Sequence, residues 1–263
     1  MLFSESHYAS LNRNAGDHVI VLPLGATEQH GPHLSVSTDT DIVTAIATEA
    51  EKRLPGDILL CSTLPFGSSH HHLSFGGTIS ISPATYTQVI VEIVESLLQS
   101  GFRKIVLLNG HGGNITPVKQ ALSILSNKYD AALSPNIVLA TYWEMAGQTF
   151  TGIAPMESPA LSHACEYETS LMLHLFPGKV FTDRIKRAGR PEKNGYIPFE
   201  DDEPYKGVVM FRQTAFISNN GSSGEPQLGT AEKGKYLFTN SVEALTKFIV
   251  SFKQWPLLEN LTL

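Results

Sequence analysis

Two short segments of the sequence combine carboxylates and histidines with glycines, and each directly follows an apolar run. The first, "GATEQHGPH" (25–33), contains Glu28 and His30, and the second, "NGHGGN" (109–114), contains His111. Because side chains alternate along an extended chain, Glu28 and His30 are expected on one side of their segment. Carboxylates mixed with imidazoles suit Zn²⁺, Mn²⁺ or Fe²⁺, whereas calcium takes oxygen ligands alone. The two segments therefore predict a transition-metal site.

Such a site needs another acid, and "VSTDTDIV" (36–43) supplies Asp39 and Asp41 where the next helix is expected to begin. Taken alone, Asp39 is better explained as a helix cap, since Asp, Ser and Thr are the usual capping residues. His111 alone is more often a packed loop histidine than a ligand. The histidine run at 70–72 contributes one or two ligands at most, because consecutive residues of an extended chain do not all face one ion. Only the combination favours a metal site.

The elements that must position these residues alternate between strand and helix patterns, which is typical of an α/β fold. Nearly continuous apolar segments predict buried, mainly parallel strands at 18–25, 57–67, 77–81, 103–110 and 136–143. Apolar residues three and four positions apart predict helices at 41–54, 83–100, 116–130, 165–176 and 231–252. The region from Pro177 to Gly229 predicts long loops around a short strand at 207–217. Ligands of open α/β sheets bind beyond the carboxyl ends of the strands, where both motifs are expected.

Length and charge restrict the class of protein. The chain has 263 residues, which is compatible with a single α/β domain spanning 1–263. A formal net charge of −6 with scattered basic residues argues against nucleic-acid and membrane partners. The first residues resemble no signal peptide and no long apolar run follows, so a cytoplasmic location is expected. The two cysteines are distant in sequence and indicate neither a disulfide framework nor a zinc knuckle.

The segments "GATEQHGPHLSVSTD", "NGHGGN" and "HACEYETSLML" resemble, in this order, the three signature segments of the creatininase (creatinine amidohydrolase) family. The resemblance extends from about Val19 to Leu175 and implies a creatininase-like single α/β domain, with a mainly parallel central sheet flanked by helices. It also implies a homohexamer and a binuclear centre of zinc with manganese, or with iron. The ligands that the resemblance implies are Glu28, Asp39 and His111 for one ion, and His30, Asp39 and Glu168 for the other.

The same resemblance assigns the catalytic histidine to His163, five residues before Glu168. Two ions bridged by Asp39 would lower the pKa of a shared water, giving a metal-bound hydroxide, and polarise the substrate carbonyl. An amide leaving nitrogen must gain a proton, for which a histidine of near-neutral pKa is suited. The alternative for His163 is a histidine at a helix start. Glu166 either orients its neighbours or is an exposed helix acid, and His33 receives no role.

Departures from creatininase itself concern the substrate. Gly112 and Gly113 stand where creatininase has a tyrosine and a glutamate, and Pro159 replaces a tryptophan, so a roomier pocket is expected. The segment at 67–80 resembles the part of the family that lines the pocket mouth. The residues expected to contact the substrate are Trp143, His72, Gly112 and Gly113.

The sequence thus predicts a metal-dependent amidohydrolase that cleaves a non-peptide carbon–nitrogen bond in a cyclic amide or amidine-like small molecule. Two alternatives on the same centre are a formamide deformylase of the formamidopyrimidine type and a small-peptide amidase. An alternative of another class is a binding protein that holds metal without turnover.

Overall fold

A four-stranded parallel sheet lies at the centre of the part of the chain that the computed structural model describes, residues 1–13, 15–189 and 210–257. The strand order is β2-β1-β3-β4. The strands are β1 (Val19–Leu24), β2 (Ile58–Leu60), β3 (Lys104–Asn109) and β4 (Asn136–Thr141). Every residue of β1 is buried, as expected of a central parallel strand that is covered on both faces. The predicted α/β class with a parallel sheet is confirmed.

Helices cover both faces of this sheet. In the described residues they are α1 (Tyr8–Arg13), α2 (Thr38–Arg53), α3 (Pro83–Gln99), α4 (Ile115–Leu133), α5 (Tyr142–Met145), α6 (Glu166–Leu175) and α7 (Ala231–Lys253). Because strand side chains alternate, Val19 and Val21 pack with α2, α6 and α7, whereas Ile20 and Leu22 pack with α3 and α4. None of the described helices is long and apolar enough to cross a membrane.

Two helices begin at N-cap residues whose side chains accept hydrogen bonds from free backbone amides. The Ser82 hydroxyl accepts a hydrogen bond from the Thr85 amide at 3.3 Å, and proline occupies the first position of α3. The Thr230 hydroxyl accepts from the Lys233 amide at 3.2 Å and starts α7. Such caps contribute about 1 kcal/mol each.

Several predicted strands are shorter than expected or absent. The expected strand at 77–81 is wrong: two glycines with φ of 75° and 63° turn the chain at 76–77, and only an isolated antiparallel bridge joins Thr27 to Ile79. The segment at 57–67 pairs regularly only in β2. Of the expected strand at 207–217, residues 210–217 contain a 3₁₀ turn and no strand, while 207–209 lie outside the described residues.

The order of strands reverses between β1 and β3, which is where α/β sheets bind ligands. The Gly110 amide donates to the Leu24 carbonyl at 2.8 Å and joins the two strand ends. The Asn114 side chain donates to the Gly25 carbonyl at 3.1 Å and accepts from the Ser68 amide at 3.0 Å. Three loops are thus fixed side by side at the carboxyl edge of the sheet.

Candidate metal centre

Two buried carboxylates lie at the centre of this edge. Glu28 and Asp39 are 1% and 3% exposed. Both side-chain oxygens of Glu28 and the Oδ2 atom of Asp39 are buried without a hydrogen-bond donor. A buried polar atom without a partner costs about 1–3 kcal/mol, and more when it is charged. Burial raises the pKa of Glu28, and the neighbouring charge of Asp39 also raises it. These oxygens without donors are chemically suited to bind a cation.

His111 lies between the two carboxylates. Its Nδ1 is 3.1 Å from Asp39 Oδ2, and its Nε2 is 3.3 Å from Glu28 Oε2. Burial alone would lower the pKa of His111, but the two carboxylates outweigh it and raise the pKa to about 10. Asn109 fixes the residue from both sides, since its side chain donates to the His111 carbonyl at 2.9 Å and accepts from the His111 amide at 3.2 Å. The two carboxylates therefore favour positive charge at this position.

His30 occupies the other side of Asp39. Its Nε2 is 3.1 Å from Asp39 Oδ1 and 3.8 Å from Glu168 Oε1. Its Nδ1 is 3.2 Å from the Glu28 backbone carbonyl, so this nitrogen carries the proton and donates. The Nε2 lone pair is therefore available to an ion. A hydrogen bond from the other ring nitrogen to a backbone carbonyl is usual for a histidine that ligates a metal.

The two acids nearest His30 lie in the first turns of helices, where the helix dipole favours negative charge. Asp39 belongs to the first turn of α2, whose N-cap is Ser37, so the cap explanation of Asp39 is wrong. The helix begins at Thr38, earlier than the sequence pattern indicates, and this places Asp39 inside it. Glu168 belongs to the first turn of α6 and accepts a hydrogen bond from the Ala164 amide at 2.5 Å.

The structure brings the expected ligands together with three further histidines, His71, His72 and His163. Within the described ranges, candidate ligand atoms lie within 4.8 Å of one another in overlapping triplets: Glu28, His30 and Asp39; His30, His163 and Glu168; Glu28, His71 and His111; Glu28, His72 and His163.

His163 presents one defined nitrogen to this cluster. Its Nε2 is 2.8 Å from the Gln29 backbone carbonyl, to which it donates. Its Nδ1 therefore has the free lone pair, 3.6 Å from Glu28 Oε1. Burial, together with His72 and His30, lowers the pKa of His163 well below its ordinary value, so the ring is neutral. The sequence did not indicate that a backbone carbonyl fixes this tautomer.

The Gln29 side chain is a residue that the sequence analysis missed. Its oxygen accepts from the Gly31 amide at 3.0 Å, which identifies its nitrogen as the atom 2.7 Å from His72 Nδ1 and 3.0 Å from the Gly221 carbonyl. His72 Nδ1 therefore accepts, and its Nε2–H faces Glu28 Oε1 at 3.4 Å. His72 is buried and stacks on His163 with ring centroids 4.1 Å apart. His72 Nε2 therefore faces Glu28 without forming a hydrogen bond to it. The expected contact of His72 with the substrate stays a prediction.

Glu166 is fully buried, so it is not an exposed helix acid. It accepts from Lys233 Nζ at 2.6 Å and from the Ser158 amide at 2.6 Å. It thereby ties α6 to α7 and to the segment that precedes His163. His33, also without an expected role, is buried with its Nε2 3.0 Å from the Thr169 hydroxyl, and burial lowers its pKa to about 4.

The remaining expected substrate contacts differ in position. Gly112 is exposed, and a Cβ there would meet no atom within 4 Å. Gly113 lies against Ser68 and His111, where a Cβ would be 2.5 Å from His111 Nε2. Trp143 is half-buried, packs on the hydrophobic core and meets Tyr142 edge-on, with ring centroids 5.0 Å apart. Its role towards a substrate stays a prediction.

Comparisons with known proteins agree with this geometry. The family model described as creatininase, creatinine amidohydrolase, matches residues 5–249. A mycofactocin precursor peptide peptidase of Mycobacterium tuberculosis (strain CDC 1551 / Oshkosh) is 32% identical over 246 residues, which are 90% of this chain and 86% of that protein. The creatinine amidohydrolase of Pseudomonas putida is 30% identical over 184 residues, which are 65% of this chain and 69% of that protein.

Among solved structures, a mutant creatininase of Zn-Zn type superposes with a TM-score of 0.80 and 26% sequence identity, covering 97% of this chain and 98% of that chain. The sheet and its helices are thus shared over nearly the whole length, in agreement with the family match. The chain belongs to the creatininase family.

Proposed function

We propose that the protein is a metal-dependent hydrolase that cleaves a non-peptide carbon–nitrogen bond in a cyclic amide or amidine-like small molecule. The observation that carries this proposal is the buried cluster at the carboxyl edge of the sheet. There, Glu28 and Asp39 have oxygens without donors and face imidazole nitrogens on several sides. An arrangement that leaves these charges unpaired serves stability poorly, whereas it suits a divalent ion.

Two ions fit the donors. Glu28, Asp39 and His111 would hold one, and His30, Asp39 and Glu168 the other. The two oxygens of Asp39 support a bridging role, because Oδ1 faces His30 and Oδ2 faces His111, each at 3.1 Å. When bound, zinc with manganese or iron supplies water activation near neutral pH and polarises the amide carbonyl.

His163 is the proton carrier in this proposal. Its Nδ1 faces the cluster, while the Gln29 carbonyl holds Nε2–H at 2.8 Å and keeps the ring oriented. A neutral ring accepts a proton at Nδ1 from the attacking water and then donates it to the departing nitrogen. Glu166 and Lys233 act at a distance by fixing the segment that carries His163.

A short peptide is the second candidate substrate. The similarity to a mycofactocin precursor peptide peptidase over 90% of this chain favours it. The open space around Gly112 also favours a substrate larger than a small planar ring. Formamides remain the third class to be tested on the same centre. We further propose a homohexamer in the cytoplasm, which size-exclusion chromatography with light scattering and cell fractionation would test.

The test is a screen of metal-reconstituted protein against creatinine, larger lactams, formamides and short peptides, with products followed by mass spectrometry. We expect a larger cyclic or formylated amide to have a kcat/KM at least about tenfold above creatinine, equivalent to about 1.4 kcal/mol of barrier. The His163→Gln variant is the control for adventitious hydrolysis. Cleavage of peptides alone would establish the second candidate. Protein that binds metal but hydrolyses nothing in the panel would refute the enzymatic proposal in favour of a binding role.

A further inference from the structure

The histidine run at 70–72 is not extended but lies in a 3₁₀ helix, His70–Phe75. Successive side chains of such a helix point about a third of a turn apart, so neighbouring residues face different directions. His70 is exposed, with its Nδ1 2.7 Å from the Ser80 hydroxyl. His72 is buried against Gln29 and Glu28. The three histidines therefore have different surroundings, and those of His71 differ from those of His70 and His72.

The side chain of His71 lies beside Glu28 and His111. Candidate ligand atoms of His71, Glu28 and His111 all lie within 4.8 Å of one another. The rings of His71 and His111 are nearly parallel, with an interplanar angle of 5° and centroids 5.9 Å apart. Both imidazoles thus lie near the same buried carboxylate, whose Oε2 atom has no hydrogen-bond donor.

His71 and His72 differ in what their nitrogens already bind. His72 Nδ1 accepts from Gln29, and its Nε2–H faces Glu28, so neither nitrogen offers a free lone pair to an ion. Within the described part of the chain, neither nitrogen of His71 makes a hydrogen bond. Of the two inward histidines, only His71 is therefore suited to ligate.

Gly113 leaves the room that this position requires. A Cβ at 113 would overlap the Ser68 carbonyl and would be 2.5 Å from His111 Nε2 and 3.1 Å from His71 Cε1. Any side chain there would occupy the space next to both rings. The glycine therefore permits His71 to approach His111 and Glu28.

We propose that His71 is an additional ligand of the ion that Glu28 and His111 hold, and not of the ion at His30 and Glu168. This inference rests on the metal centre of the proposed function. A second imidazole ligand at the ion of Glu28 and His111 makes the two positions unequal in the proposed function, because the second imidazole on the His30 side, His163, is assigned there to proton transfer and not to ligation. The position at His71 is expected to favour zinc more strongly, since imidazole is a better ligand for zinc than for manganese.

The test measures metal binding directly and does not depend on turnover. Metal-free wild type, His71→Ala and His70→Ala are titrated with Zn²⁺ against a chromophoric chelator, and bound metal is counted by elemental analysis after dialysis. We expect His71→Ala to bind one ion as wild type does and the second at least about 10–100-fold more weakly, the loss typical even of residues that only support a ligand. His70→Ala is the matched control from the same run and keeps both affinities.

A second variant, His71→Gln, separates ligation from folding, because it retains the size and polarity of the site but lacks the imidazole. Circular dichroism and thermal denaturation establish that each variant is folded. Two ions bound with wild-type affinity by folded His71→Ala and His71→Gln would overturn the inference, as would equal weakening of both ions. Wild type that binds no Zn²⁺ would instead refute the metal centre itself, so the two failures are distinguishable.

Discussion

Substituting Gly113 by alanine should damage the protein, whereas the same change at the adjacent Gly112 should not. The added methyl at 113 would overlap the Ser68 carbonyl oxygen and stand 2.5 Å from His111 Nε2. Ordinary contact needs roughly 3.5 Å, so these groups must separate by about 1 Å. Overpacking of this kind typically costs about 1–3 kcal/mol. At 112 a methyl meets no atom within 4 Å, so only the small effect of a Gly→Ala change, about 0.4–1 kcal/mol in either direction, is expected.

Activity should fall further than stability, because the displaced group is His111 and a misplacement of about 1 Å at a reacting centre can cost about 100-fold in rate. The assay combines urea denaturation of both variants with elemental analysis of bound zinc and with turnover of the best substrate. We expect Gly113→Ala to lose about 1–3 kcal/mol of unfolding free energy, to bind less metal and to lose about 100-fold in kcat/KM. If Gly112→Ala and Gly113→Ala behave alike in all three measurements, the close packing around His111 is not as described.

Four further predictions concern named side chains. Asp39→Asn should remove most bound metal as measured by elemental analysis. The control Asp41→Asn should retain the metal, because the Asp41 carboxylate pairs with a lysine 2.7 Å away at the surface. Equal metal content in both variants would refute the bridging role of Asp39. His163→Gln should keep its metal and lower kcat by about 10²–10⁴-fold, and loss of an ion would place His163 among the ligands. Lys233→Met should lower the unfolding free energy by about 3–5 kcal/mol in urea denaturation, because it leaves the buried Glu166 carboxylate without its cation. Burial raises the pKa of Glu166, but hydrogen bonds from Lys233 and Ser158 outweigh it and hold the pKa below its ordinary value of 4.5. The stabilisation that ionised Glu166 contributes is therefore present above about pH 4.5 and is lost as the pH falls. A wild-type stability independent of pH in that range would contradict this prediction.

The sequence predicted the elements that repeat a simple pattern. The central strands are continuously apolar and the long helices are strongly periodic, so α3 and α7 were located within one residue of their observed bounds. The motifs at 25–33 and 109–114 follow strands, and the sheet order places them side by side. The predicted ligands therefore meet in one cluster, although whether they bind metal remains a prediction.

What the sequence could not supply depends on tertiary contacts. The segment at 77–81 has the composition of a strand, but positive-φ glycines and a single bridge to Thr27 keep it out of the sheet. Glu166 resembles an ordinary helix acid until α7 brings Lys233 against it. The role of Gln29 depends on Gly221, which lies far along the chain, and no local pattern encodes such a contact. The sequence pattern does not reveal that the histidine run lies in a 3₁₀ helix, and this geometry decides which rings face inward.

The distances in sequence between the cluster residues have a consequence for folding. Glu28, His30 and Asp39 form a local group at the end of β1 and the start of α2, but His111 follows β3 and Glu168 lies in α6. An unfolded chain therefore offers an ion only scattered ligands, and the complete set exists only once the sheet and α6 have assembled. A ligand that binds only the folded form stabilises it by about 2.7 kcal/mol at a concentration 100 times its dissociation constant. A bound metal ion would thus stabilise the folded protein as well as support its activity.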